Sequence, residues 1–196
     1  MAPWVRWLPA LLLIGSFGAL AGEASEPTVA LSSSGQARVG ETSPWFAGFL
    51  AGGGQRVVNP TLLASQLDKE NNHALAILFF GTWCKPCEAG LRRLAAEREA
   101  LRRAGVSLLL VALVEDGESL DGVATWVTAR GLGDVPLVID RFAQIARPFG
   151  AESVESGRVK RELPLTAVLG ADGKIKALFG AEGADFVLRL TAVGRP

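Results

Sequence analysis

The sequence has few residues that bind metals, and it has no excess of charge of either sign. It contains two cysteines and one histidine, His73. A structural zinc site usually takes four cysteine or histidine ligands, so these residues do not suffice for one. Twenty Lys and Arg balance twenty Asp and Glu, and no basic run alternates with aromatic residues as in a groove for single-stranded nucleic acid. The sequence therefore predicts no metal, no other cofactor and no nucleic-acid partner, and it assigns His73 no role.

The two cysteines are separated by only two residues, in the segment Gly-Thr-Trp-Cys-Lys-Pro-Cys at positions 81–87. A disulfide that closes so small a ring adds little stability through chain entropy. We therefore interpret Cys84 and Cys87 as a reactive pair, with an inert disulfide as the alternative.

Only one apolar run comes near the length of a membrane span, and it lies at the N-terminus. It covers residues 8–21, follows the positively charged Arg6 and ends in the Ala-x-Ala pattern of a signal-peptidase site. We predict a signal peptide over residues 1–21 and a bacterial protein that is periplasmic or otherwise exported. The alternative is an uncleaved leader, which would be the chain's one contact with the membrane. Residues 22–42 are expected to form a flexible lead-in, and residues 43–196 the folded domain.

After residue 59 the apolar pattern alternates between helices and strands. Continuous apolar runs at 74–80 and 106–114 predict strands that are buried on both faces. Helical spacing of apolar residues, with caps, predicts helices. Helices are expected at 60–70, 84–104, 119–130, 141–149 and 184–193, and further strands at 135–139, 165–169 and 174–179. This order predicts an α/β domain with a central mixed sheet and helices on both faces.

Cys84 is predicted at the point where the strand over 74–80 gives way to a helix. The unpaired N–H groups and partial positive charge of a helix N-terminus favour a thiolate over a thiol, and Lys85 adds a cation nearby. Because attack on a disulfide requires the thiolate, Cys84 is the expected nucleophile. Cys87, one turn further along, is expected to be shielded and to resolve the mixed disulfide. Pro86 fits the first helical turn, where it removes no intrahelical hydrogen bond.

These features resemble the thioredoxin superfamily, and within it the exported proteins of the TlpA and ResA type. The resemblance covers residues 43–193 and rests on four segments. They are Ser-Pro-x-Phe at 43–46, Trp-Cys-x-Pro-Cys at 83–87, Leu-Pro-Leu-Thr at 163–166 and Asp-Gly-Lys-Ile at 172–175.

The resemblance implies a thioredoxin-like fold with a substrate-docking strand beside the redox pair. It implies that Pro164 follows a cis peptide bond and that the backbone of Leu163 pairs with an extended substrate segment; a trans proline that opens an ordinary strand is the alternative. Trp83 would pack beside the redox pair and shape the docking surface, with a purely structural tryptophan as the alternative.

The sequence departs from this family at several positions. Leu78 stands where many thioredoxins have a buried carboxylate, and it cannot transfer protons. A glutamate that ResA-type relatives carry after the next strand is matched by Glu118, or less closely by Glu115; a solvated surface acid is the alternative. The stretch between Phe149 and Pro164 is longer than the family needs and is expected to be a substrate-side loop or an insertion.

The resemblance implies an exported thiol–disulfide oxidoreductase that acts on protein thiols and disulfides. The reductive direction is expected, with a membrane electron-donor protein as partner. A disulfide oxidase and a copper- or haem-delivery chaperone using the same thiols stay open as alternatives. A thiol peroxidase is disfavoured because the nucleophile lies in a Cys-x-x-Cys pair. Cytochrome c maturation is one setting the resemblance allows, but Leu165 stands where that type has a glutamate.

Overall fold

The computed structural model describes residues 36–51, 57–69, 72–180, 183 and 185–193. The predicted signal peptide at 1–21 and residues 22–35 of the predicted lead-in lie outside them. The strands are β1 (Gly48–Phe49), β2 (Val57–Val58), β3 (Ala74–Phe80), β4 (Val106–Leu113), β5 (Leu137–Asp140), β6 (Glu152–Glu155), β7 (Arg158–Arg161), β8 (Leu165–Gly170) and β9 (Ile175–Phe179). The helices are α1 (Pro60–Lys69), α2 (Lys85–Ala96), α3 (Arg98–Arg103), α4 (Leu120–Thr128), α5 (Ala146–Phe149) and α6 (Phe186–Val193).

Five of these strands form one mixed sheet in the order β5-β4-β3-β8-β9. The three strands β3, β4 and β5 are parallel, whereas β8 and β9 are antiparallel to their neighbours. β3 is therefore the middle strand, and all seven of its residues are buried. This burial on both faces explains why its sequence is apolar without alternation.

Different helices cover the two faces of β3, because successive side chains of a strand point to opposite faces. Ala74, Ala76, Leu78 and Phe80 share a core cluster with buried residues of α2, α3, α4 and α6. Leu75, Ile77 and Phe79 share a second cluster with residues of α1 and α5. The predicted α/β fold, a mixed sheet with helices on both faces, is confirmed.

The helix predicted over 84–104 is interrupted. Glu97 separates α2 from α3, with φ −107° and ψ 16°. No proline or glycine marks this break in the sequence. Leu94 of α2 and Leu101 of α3 still face the same core cluster, so the interruption does not change which face of the segment is buried.

The helix predicted over 141–149 begins only at Ala146, because Asp140 organises the residues before it. The Asp140 carboxylate accepts hydrogen bonds from the backbone N–H groups of Gln144, Ile145 and Ala146, at 2.8, 2.9 and 2.8 Å. Burial raises the pKa of Asp140, although these three N–H groups act in the opposite direction. Residues 141–145 therefore form a turn around this carboxylate.

The stretch before Pro164 is a hairpin of β6 and β7, where the sequence predicted a loop or an insertion. Ser156 and Gly157 both have positive φ, 50° and 76°. Two such residues between paired strands match a tight hairpin turn whose twist suits the strands it joins.

The segment 37–42, which the sequence assigns to the flexible lead-in, is hydrogen-bonded to the domain. The Ala37 N–H donates to the Pro148 carbonyl, and the Gly40 N–H donates to the Ile175 carbonyl. Thr42 forms an antiparallel bridge with Lys174. The folded unit thus starts before the predicted border at residue 43. Within the described residues, no helix combines the length and the apolar character that crossing a bilayer requires.

Replacing Asp140 by alanine is expected to lower the free energy of unfolding by about 2–4 kcal/mol, because it leaves three N–H groups without their acceptor. Urea denaturation of the oxidised protein measures this. Asp116→Ala, at an exposed loop acid, is the matched control and should change stability little. Equal stability of the two variants would contradict the capping role.

Candidate active site

The parallel strands of the sheet end at one edge, and β8 starts there. Phe80 and Leu113 are the last residues of β3 and β4, and Leu165 opens β8, which runs antiparallel to β3 with Leu165 opposite Phe79. The segments 81–87, 114–119 and 163–164 therefore meet at this edge. His73 lies at the opposite end of β3 and is exposed.

Cys84 is the N-cap residue of α2, directly before the first helical residue. Its backbone is extended, with φ −85° and ψ 99°, and its Sγ accepts a hydrogen bond of 3.2 Å from the Cys87 N–H. The two sulfurs are joined in a disulfide. A sulfur that already accepts an N–H hydrogen bond at the positive end of a helix is placed to carry negative charge when the disulfide opens.

The two sulfurs differ in accessibility. Cys84 is 6% exposed, whereas Cys87 is 0% exposed and packs among Leu91, Leu94 and their neighbours in the core. A reagent from solvent can therefore approach Cys84 more readily than Cys87. Lys85 and Pro86 occupy the first two helical positions between them, and both are exposed.

Trp83 stands before the disulfide with 40% of its surface exposed. Its indole lies directly over Gly81, since a Cβ built on Gly81 would be 2.5 Å from the ring. The Arg161 guanidinium carbon is 5.3 Å from the indole centroid. Phe142 and Leu120, which follow the ends of other strands at this edge, are also exposed. The edge that carries the disulfide thus also carries exposed apolar side chains.

Glu118 directly contacts the segment 81–87, which contains the disulfide and is called the active-site segment below. It is half-buried and accepts a hydrogen bond from the Thr82 hydroxyl. Its other carboxylate oxygen accepts the Glu115 N–H at 3.3 Å. The alternative acid, Glu115, is more exposed and lies 3.6 Å from Arg161. Glu118 is thus hydrogen-bonded to the turn that precedes Cys84, while part of its side chain stays exposed.

The peptide bond between Leu163 and Pro164 is cis, as the resemblance implies. Pro164 is buried and Leu163 is half-buried against both core clusters. Both residues precede β8 at the edge that carries Cys84.

Comparison with known proteins gives the family. The AhpC/TSA family matches residues 59–178, which is more than half of the chain. The chain belongs to the AhpC/TSA family.

A curated relative is the thiol-disulfide oxidoreductase ResA of Geobacillus thermodenitrificans, 31% identical over 100 residues. The match covers 51% of this chain and 50% of the relative, so the chain spans about half the length of that protein.

Solved structures show the same fold at low identity. Peroxidoxin BcpB of Mycobacterium tuberculosis superimposes with a TM-score of 0.62 at 15% identity, over 81% of this chain and 96% of that one. A putative thiol:disulfide interchange protein DsbE of Chlorobium tepidum superimposes with a TM-score of 0.57 at 19% identity, over 81% and 97%. At this identity the likeness establishes a thioredoxin-like fold.

The structure of this AhpC/TSA-family chain adds three residues to the site region that the sequence did not single out. Arg161 and Glu152 lie in the hairpin that the sequence leaves as a loop, so no periodicity pointed to them. Thr166 was noted only as the last residue of the Leu-Pro-Leu-Thr segment at 163–166. It is paired with Leu78 in the β3–β8 register, and its side chain is fully buried.

Thr166 faces the same side of the sheet as Cys87. Val168, two residues further along β8, belongs to the cluster that contains Cys87, whereas Ala167 and Leu169 belong to the opposite cluster. The Thr166 hydroxyl has no hydrogen-bond partner among the described residues. A buried unpaired hydroxyl lowers stability.

Thr166→Val is therefore expected to raise the free energy of unfolding of the oxidised protein by about 1 kcal/mol, because it removes the unpaired hydroxyl and keeps the branched shape. Chemical denaturation measures the change. Thr166→Ser, which keeps the hydroxyl and loses the methyl group, should lower stability. A valine variant less stable than the parent would mean that the hydroxyl is paired in solution.

Proposed function

We propose that this chain is a thiol–disulfide oxidoreductase that exchanges the Cys84–Cys87 pair with the thiols and disulfides of protein clients. One observation carries the proposal. A disulfide lies at the N-terminus of α2, with its first cysteine slightly exposed and its second fully buried in the core. The similarity to ResA over 100 residues supports the same class of reaction.

The reaction needs only the two sulfurs. In the reduced protein the Cys84 thiolate attacks one sulfur of a client disulfide, forms a mixed disulfide and releases the other client sulfur as a thiolate. The Cys87 sulfur, once deprotonated, then attacks Cys84 and displaces the second client thiolate. Two electrons pass from the pair to the client, and Cys84–Cys87 is oxidised. A separate dithiol donor returns it to the reduced form.

Client docking is proposed at the segment 163–164, directly before β8. An extended client segment would pair with the backbone of Leu163 next to Pro164, and Trp83 would supply apolar contact. The exposed side chains of Leu120 and Phe142 at the same edge support a polypeptide client, because apolar surface is what a protein partner would cover.

The remaining site residues are proposed to act around the pair. Lys85 adds a positive charge next to Cys84 that would favour its thiolate, and Pro86 rigidifies the first turn of α2. Glu118 would hold the turn at Thr82 through its hydrogen bond to that hydroxyl.

Export and the direction of electron flow complete the proposal. The N-terminal segment supports an exported protein, periplasmic in a bacterium, held to the membrane only where the leader is retained. Family resemblance favours the reductive direction, with a membrane protein as electron donor. The helix-stabilised thiolate favours the reduced form and would make the oxidised protein a stronger oxidant. The reduction potential of the pair decides between these directions.

Cys84→Ser is expected to lower the rate of insulin-disulfide reduction, with a dithiol as donor, by about 1,000-fold or more, since it removes the attacking sulfur. Cys87→Ser leaves that sulfur and removes its resolving partner. It should therefore accumulate mixed disulfides with insulin that dithiothreitol releases, seen by mass spectrometry of the intact adduct. Absence of trapped adduct in Cys87→Ser would count against the two-step exchange.

The same variants separate the alternatives. A thiol peroxidase would consume hydrogen peroxide faster than it reduces insulin, and a copper chaperone would bind Cu(I) tightly in the reduced form without reducing insulin. We expect insulin reduction to exceed peroxide consumption, with both lost in Cys84→Ser.

A further inference from the structure

We propose that Arg161, in the β6–β7 hairpin, is a positioning residue that fixes the indole of Trp83 beside the disulfide and so sets the affinity for protein clients. The positioning follows from the geometry alone. Its consequence for clients rests on the proposed function.

Arg161 is the last residue of β7 and reaches three groups. Its guanidinium carbon lies 5.3 Å from the Trp83 ring centroid, within the range of cation–π attraction. Its Nε donates to Glu152 Oε2 at 3.0 Å, and its Nη1 lies 3.6 Å from Glu115 Oε1. Only 26% of the side chain is exposed, so water screens these contacts incompletely.

Glu152 restricts the orientation of Arg161. Its carboxylate is only 4% exposed and lies between two guanidinium groups, with Oε1 2.9 Å from Arg147 Nη2 and Oε2 bonded to Arg161. A buried carboxylate needs such partners, because leaving it unpaired is costly. Glu152 and Arg161 are also directly opposite each other in the hairpin. Backbone register and side-chain pairing therefore hold the guanidinium in one place.

Trp83 is partly exposed, so the fold covers only part of its side chain. It is 40% exposed, and the backbone of Gly81 lies against its ring. An aromatic side chain that is so exposed loses rotational freedom when a client covers it, and that loss weakens binding. Contact with Gly81 and with Arg161 removes part of this freedom in advance. The hairpin therefore acts on docking by pre-organising Trp83, while the sulfurs react as before.

Arg161→Met tests this, because methionine keeps the unbranched stem and removes the charge. We expect KM for insulin to rise about fivefold, the size of a partly buried cation–π contact, with kcat changed less than twofold. The rate with a small disulfide, hydroxyethyl disulfide, should stay unchanged, since that substrate needs no docking surface. The KM of Arg161→Lys for insulin should lie between those of the parent and of Arg161→Met, because lysine keeps the charge and loses the planar group.

Arg158→Met is the matched control. Arg158 lies on the same strand and is exposed, three residues away and therefore on the opposite face. It forms no ion pair with any residue that the structure describes, and its loss should leave KM unchanged. Thermal denaturation of all variants shows whether any change in KM reflects unfolding.

A second measurement does not depend on activity. The fluorescence of Trp83, taken as the difference between each protein and its Trp83→Phe counterpart, should show lower anisotropy in Arg161→Met than in Arg158→Met. Equal anisotropy and equal KM in these two variants would overturn the inference. So would a parallel loss of rate with insulin and hydroxyethyl disulfide, because Arg161 would then act on the sulfur chemistry. If the parent protein reduces neither substrate, the proposed function fails, and the anisotropy alone decides whether Arg161 positions Trp83.

Discussion

The site depends on one constraint, the change from a strand buried on both faces to a helix within four residues. β3, the middle strand of the sheet, ends at Phe80, and Cys84 is the N-cap residue of α2. The sheet fixes where the strand ends, and the core contacts of Leu91 and Leu94 fix the direction of the helix. The sulfur at this junction therefore meets the backbone N–H of Cys87 without a side-chain base. The fold places the sulfur at the positive end of a helix, and that position favours a thiolate, which a cysteine elsewhere would lack.

A network of ion pairs in the β6–β7 hairpin lies on the other side of the site. Glu152 is buried with Arg147 and Arg161, and Arg161 reaches Glu115 on the segment after β4. The hairpin is thereby joined to the loop that also carries Glu118. Two contacts connect these groups to the segment 81–87: Glu118 accepts a hydrogen bond from Thr82, and Arg161 lies over the ring of Trp83. The apolar core positions the sulfurs, and the ion-pair network positions the residues around them.

The sequence predicted those parts of the fold that depend on local pattern. β3 was predicted with its observed bounds, because seven consecutive buried residues leave a continuous apolar run. The cysteine pair was recognised because only two residues separate the cysteines and because the apolar pattern predicts a helix that starts beside them. Arg161 and Glu152 could not be found in this way, because their partners are distant in the chain or buried through tertiary contacts. α5 starts late because the Asp140 carboxylate accepts hydrogen bonds from three backbone N–H groups. The spacing of apolar residues does not predict such a contact.

Leu78 packs in the same core cluster as Cys87. On the sheet face that holds Cys87, the position opposite Leu78 is Thr166, and neither side chain titrates near neutral pH. The buried carboxylates of the described residues, Asp140 and Glu152, are engaged by backbone N–H groups and by two arginines respectively. Glu118, the acid in contact with the active-site segment, reaches it at Thr82 on the surface side. Among the described residues, therefore, no carboxylate is buried beside Cys87, and the fold surrounds the inner sulfur with the apolar side chains of its core cluster.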